Sequence, residues 1–263
     1  CVGDPPRVRV IPLCPSLTEA ERLPASLTGA ARKTEIEKPK THSIFTTLAH
    51  GMSSLAAPLQ QAIKNMGGTI QCNEKISSLQ CKPEGFYINS TRTDKPALRA
   101  DGVVLAVPAF VAAGLLRESA TPLAKTLDSL RYVSSTTVSL GMPKDALSNT
   151  KGLDGFGFLT TRATPSPILG VSVLSKKFLH RAPPYGVLIR VFLSCDDTED
   201  LVSTARTALR DITGLCADPL FTTAKAWPKG NPQYDVGHEN WVRKTREQAA
   251  QIINLFLAGS AYD

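Results

Sequence analysis

The sequence predicts a chain of α+β to α/β class: a mixed, largely antiparallel sheet with its own helices, joined to part of a layered α/β unit. Three observations predict it. After Asp101-Gly102, the apolar run Val103-Val104-Leu105-Ala106-Val107 has the pattern of a strand covered on both faces, as in a parallel sheet between helices. Residues 132–194 then change texture to four β-rich runs separated by Gly and Pro turns, as an antiparallel or mixed sheet requires. Helix-periodic stretches lie on either side, at 53–66 and 201–213.

In chain order, residues 1–43 are rich in Pro, Thr, Ser and charge, with one helical piece, SLTEAERL, where Ser16 and Glu19 have the spacing of a capping box. Residues 53–66 place Leu55, Leu59, Ala62, Ile63 and Met66 at helical spacing, and Gly67-Gly68 stops the helix. Short β-rich runs and turn residues alternate from Gly68 to Arg92. Pro108 opens a helix at its first turn, where a missing N–H costs nothing, and a further helical piece lies near 120–131. The four strand candidates are 132–143, 155–161, 168–175 and 186–194. In 196–215, Leu201, Val202, Ala205, Ala208, Leu209 and Ile212 form one stripe, acidic residues occupy the first turn and Gly214 ends the helix. A strand at 222–229, a helix over 241–254 and a strand at 255–260 running into a glycine turn complete the reading.

Between them, KAWPKGNPQYDVGHENW (225–241) holds Pro228 and Pro232, each of which fixes φ and removes a backbone donor. It can be neither inner strand nor helix, and reads as a rigid shaped connection with something resting against it.

A chain of 263 residues at 42% hydrophobic composition can bury a sizeable core. Its 30 Lys+Arg against 23 Asp+Glu leave +7, which suits anionic partners, but the basic residues are scattered and aromatics are only 6%, so nucleic acid is excluded as a partner. A carboxylate-bearing substrate or peripheral contact with an anionic membrane would use the same excess. The six cysteines form no CxxC pair and lack accompanying His spacing, so no metal site is indicated and a reduced compartment, the cytoplasm, is the simpler reading. The longest apolar run, 103–116, is too short and too broken by Pro108 and Gly114 to span a bilayer. No GxGxxG occurs.

Several segments together resemble the flavin-dependent protoporphyrinogen/coproporphyrinogen oxidases of the amine oxidase superfamily. The stretches are VGDPPRVRV (2–10), PSLTEAERLPASL (15–27), IFTTLAHGMSSLAAPL (44–59), ADGVVLAVPAFVAAGLL (100–116), RVFLS (190–194), KAWPKGNPQYDVGH (225–238) and LFLAGSAYD (255–263). The Trp-Pro…Pro-Gln-Tyr…Gly-His string is the most specific of them. Ala49-His50 replace the family's usual basic-Gly pair. The family's N-terminal GxGxxG unit and its C-terminal Gly-Val-Gly-x-Pro-Asp-Cys-like segment are absent, so the resemblance implies a fragment. It divides the chain into a piece of substrate domain (1–50), a partial FAD-binding, Rossmann-like domain (51–118), a substrate-binding domain (119–250) and a second FAD-domain piece (251–263).

The resemblance also implies roles. Ile76 would contact the adenine part of FAD through its backbone, Trp227 would lie beside the isoalloxazine, and Gly259 and Ser260 would approach the flavin from the last strand. Phe156, Leu159, Ser172 and Phe192 resemble pocket residues for a porphyrinogen, a broad apolar macrocycle with carboxylate arms. Period-two alternation puts Leu188, Arg190 and Phe192 on one face, where Arg190 could pair with a propionate. Every one of these positions also suits an ordinary core or turn. His238 reads as serving the turn before its helix, not as an acid or base, and no catalytic side chain is assigned. The implied activity is oxidation of the porphyrinogen methylene bridges by flavin, with O2 as oxidant. The rivals are a carotenoid desaturase or polyamine oxidase on the same fold, and a non-catalytic binding protein; a homodimer stays open.

Overall fold

The computed structural model describes residues 47–92, 94–161, 165–178, 180–194 and 200–262. The capping-box helix at 16–23 and most of the 1–50 piece fall outside them.

Helix α1 (Ala56–Asn65) follows a 3-10 turn and ends at Gly67, whose φ of 82° closes it as expected. Its apolar stripe is uncovered: Leu55, Leu59, Ile63 and Met66 are all exposed. The turn before it pairs the Gly51 amide with the Leu48 carbonyl at 3.0 Å, and Gly51 itself takes the positive φ of 91°. The turn therefore places no left-handed demand on His50. Strands β1 (Ile76–Lys82), β2 (Gly85–Ser90) and β3 (Leu98–Ala100) form an antiparallel sheet in sequential order.

Strand β4 (Val103–Leu105) is shorter than the apolar run and pairs in parallel with β10 (Leu255–Leu257). The expected parallel pairing is present, but cover on both faces is not. Leu105 and Leu255 are buried, whereas Val104 and its register partner Phe256 are 61% and 57% exposed. Alternation along two strands with a packed layer on one side leaves the other side open. Helices α2 (Ala109–Leu116), α3 (Thr121–Asp128) and α5 (His238–Ala249) close the packed side, and Leu79, Phe86, Leu105, Leu116, Leu127 and Tyr262 belong to this first core.

The second core lies under a five-stranded antiparallel sheet in the order β6-β7-β8-β5-β9: β5 (Tyr132–Pro143), β6 (Gly157–Leu159), β7 (Ile168–Val173), β8 (Gly186–Leu193) and β9 (Phe221–Pro232). All four predicted strands of 132–194 are present. Val138, Leu140, Val171, Val173, Ile189, Val191 and Leu193 face α4 (Leu201–Thr213), which buries Ala205 and Leu209 against them. The Asp200 side chain caps α4 by accepting the Ser203 amide at 2.9 Å, and Gly214 ends it in the left-handed region.

The proline stretch differs from expectation. β9 runs through Trp227-Pro228, within the strand foreseen at 222–229, and on to Pro232, into the part of the stretch read as a connection. It is the sheet's edge strand, so the missing donors need not serve an inner ladder. Across from it, Ser135 pairs with Trp227 and Val133 with Asn231, so three residues oppose one. The surplus is absorbed by a bulge in which Lys229 takes φ 46° and its amide donates to Ser134 Oγ at 3.0 Å.

Candidate flavin and substrate site

The face of the large sheet turned away from the second core gathers most of the candidate pocket residues. One row across the strands reads Leu159, Gly170, Phe192, Thr137, Lys225; the next reads Gly157, Ser172, Arg190, Ser139, Thr223. Trp227 lies one step along β9 on the same side, and its Nε1 donates to Thr137 Oγ1 at 3.2 Å. Thr137 is the register partner of Phe192, so the Trp227 and Phe192 side chains flank one threonine. This face thus combines two aromatic rings, Leu159 and two cations.

Arg190 stands directly opposite Ser172 and makes one long contact, Nε to Ser139 Oγ at 3.5 Å. No carboxylate among the described residues pairs with it. A half-buried guanidinium with most of its donors unspent is equipped to take a carboxylate from outside the chain. Lys225 reaches over the Trp227 ring at 5.8 Å. Phe156 lies just outside the ladder, half exposed, with its carbonyl accepting the Val173 amide at 2.8 Å. Ile76 opens β1 opposite Ser90, in the other sheet, and no described hydrogen bond or ring contact links it to Trp227 or Ser260.

The stretch after Pro232 joins the two cores. Gln233 donates its amide to the Arg131 carbonyl at 2.8 Å, and Arg131 pairs with Asp235 at 3.2 Å. Gly237, at φ 96°, turns the chain into α5. Tyr132, at the head of β5, accepts the Ala109 amide at 3.0 Å and meets Phe110 edge-on. His238 is 5% exposed, stacked on Trp241 and in tilted contact with Tyr234. Burial pushes its imidazole below the usual histidine range, partly opposed by a hydrogen bond to the Ala261 backbone. Its Nε2 has no partner among the described residues, so nothing there would relay a proton. His238 does serve the turn before its helix, since its amide donates to the Asp235 carbonyl at 3.0 Å.

Gly259 and Ser260 follow β10 where its carboxyl end lies beside that of the parallel strand β4. Gly259 has φ 131°, and no atom lies within 4 Å of where its Cβ would stand. The turn is therefore open on the side that lacks a side chain. Beneath it, Tyr262 is 4% exposed and burial raises its phenol pKa to about 12. The unfolded tyrosine ionises near pH 10, so this group contributes stability that is intact below pH 10 and is lost as pH rises through 12, roughly 2–3 kcal/mol. Its hydroxyl is buried without a partner among the described residues. Tyr262→Phe is expected to be neutral or stabilising by about 1 kcal/mol at pH 7 and to flatten the alkaline loss, as measured by denaturant unfolding between pH 8 and 12.

A two-layer chain with an open glycine turn at the carboxyl ends of parallel strands, beside a separate antiparallel sheet, fits a nucleotide-cofactor enzyme with a distinct substrate sheet. The chain belongs to the family described as flavin containing amine oxidoreductase, which it matches over residues 17–263. Among curated relatives it is 30% identical over 229 residues to coproporphyrinogen III oxidase of Staphylococcus aureus, covering 83% of this chain and 48% of that protein. It is 28% identical over 221 residues to chloroplastic protoporphyrinogen oxidase 1 of Arabidopsis thaliana, covering 77% and 41%. The chain spans about half the length of these relatives. A solved structure of a candidate protoporphyrinogen oxidase from Exiguobacterium sp. 255-15 superposes with a TM-score of 0.78 at 23% identity, over 99% of this chain and 56% of that one, a likeness of fold.

The family implies a flavin, and the residues present fit one in part: an unobstructed Gly259 turn at the strand ends and the half-exposed indole of Trp227 are suited to the approach of a flat cofactor. Sequence reasoning missed Thr137, Tyr234 and Arg246, because their partners lie far away in the chain. No helix among the described residues is long and apolar enough to cross a membrane.

Proposed function

We propose that the chain is the porphyrinogen-holding portion of an FAD-dependent porphyrinogen oxidase that uses O2, with residues 51–118 and 251–263 on the cofactor side and the β5–β9 sheet on the substrate side. The observation that carries this is the single sheet face on which Leu159, Ser172, Arg190, Phe192 and Trp227 come together, with the Arg190 cation at its centre lacking a carboxylate partner among the described residues. An apolar macrocycle with carboxylate arms needs ring-sized apolar walls and a fixed cation, and this face offers both. Gly259 and Ser260 would let the flavin approach the last strand, Trp227 would wall it, and Ile76 would meet its adenine end. Bound flavin supplies hydride acceptance and is reoxidised by O2. The chain's part is placement: Phe192 and Leu159 against the macrocycle, Arg190 on a propionate, and aromatic bulk to exclude water.

The test is oxidation of coproporphyrinogen III and protoporphyrinogen IX by the protein as its gene encodes it, followed by porphyrin fluorescence and O2 uptake. Fluorescence rising with O2 consumption is expected; a flavin-loaded protein that oxidises neither removes the reading. Trp227→Ala is expected to lower the flavin-to-protein ratio or slow flavin reduction severalfold, since a half-buried aromatic wall contributes about 1–2 kcal/mol. Absorbance titration and anaerobic stopped-flow reduction check it.

A further inference from the structure

Residues 259–262 are gripped from beneath. Two of their carbonyls are each taken by a different side chain of the segment 234–246. Tyr234 Oη donates to the Ser260 carbonyl at 2.8 Å and Arg246 donates to the Tyr262 carbonyl at 2.7 Å.

The two grips are themselves held in register. His238, Trp241 and Tyr262 form a ring stack with centroid spacings of 5.4 and 6.0 Å, and Tyr234 meets the His238 ring at a tilt of 49° and 4.8 Å. Trp241 Nε1 is tied to the Thr126 carbonyl at 2.8 Å, which fixes the stack to α3. Within the turn, only the Tyr262 amide bonds back, to the Gly259 carbonyl at 3.1 Å. A four-residue turn with one internal hydrogen bond and a glycine at φ 131° would sample several conformations without outside support.

We propose that Tyr234 and Arg246 are positioning residues for the flavin: the two side chains clamp the carbonyls of Ser260 and Tyr262 so that the Gly259–Ser260 backbone is preset for the cofactor. This rests on the assignment of that turn to the flavin. It gives the Pro-Gln-Tyr…Gly-His string a purpose distinct from acid–base chemistry.

The test compares Tyr234→Phe, Arg246→Met and the conservative Arg246→Lys in the protein as its gene encodes it. Amide exchange is read at Tyr262 within the turn and at Ala258, whose amide bonds the Leu105 carbonyl at 3.1 Å in the adjoining strand pair. Removing one clamp bond should speed exchange at Tyr262 by about three- to tenfold and leave Ala258 and β8 within about twofold. The bound flavin should dissociate faster and show an altered visible absorption band, and Arg246→Lys, which keeps a cationic donor, should restore part of both. Tyr262 exchange that stays unchanged, or rises equally with Ala258 and β8, overturns the clamp. A loosened turn with flavin spectrum and retention unchanged overturns the positioning role while the clamp stands. Parent protein that binds no flavin at all overturns the assignment of the turn instead.

Discussion

Arg190→Gln is expected to raise KM for a porphyrinogen about tenfold or more while leaving the melting temperature within about 2 °C. A hydrogen bond to a charged partner contributes about 1.5–3 kcal/mol, which is about ten- to 150-fold in affinity. The folded chain has little to lose at this position, because Arg190 gives only a 3.5 Å contact to Ser139 Oγ and has no described carboxylate partner. The loss should fall in KM and not in kcat if the guanidinium binds a propionate equally in ground and transition states. Arg190→Lys should recover part of the effect, as charge is kept but the two-pronged geometry is not. Equal KM values for parent and Arg190→Gln, with folded protein in both, would remove the substrate face from this sheet.

How far this was legible beforehand differs between the two halves. Along β8 the alternation Leu188, Arg190, Phe192 against Ile189, Val191, Leu193 is written in the residues, and the sheet obeys it: the first set faces outward and the second fills the core. Helix α4 was legible for the same reason, with a complete stripe and a Gly214 stop. The strand at 103–107 was misjudged because an apolar run shows that a segment can be covered, not that a layer is present; Val104 and Phe256 are open. At Trp227-Pro228 the prolines ruled out an inner strand correctly, yet an edge strand with a bulge satisfies the same constraint. The clamp on residues 260–262 could not have been read, since its hydrogen bonds join positions 16 to 26 residues apart and depend on how α5 packs.

Neighbouring residues of β8 should separate folding from binding most sharply. Leu193 is fully buried in the second core and pairs across to Thr136 and Ile168. Leu193→Ala removes buried methyl groups and leaves a cavity between sheet and α4, at a cost of about 2–5 kcal/mol. That is a large part of a typical total of about 5–15 kcal/mol, and corresponds to a melting point lower by about 5–15 °C. Phe192, one residue earlier, points to the opposite face and is only half buried. Phe192→Ala should therefore cost about 1 kcal/mol or less of stability, because its ring is not enclosed by the core, while weakening porphyrinogen binding by about tenfold through loss of the apolar wall. Thermal denaturation and substrate KM measured on both variants give a crossed pattern. If Phe192→Ala instead unfolds the protein as severely as Leu193→Ala, the outer face is an ordinary core surface covered by another part of the polypeptide, and Arg190 is not available to a substrate.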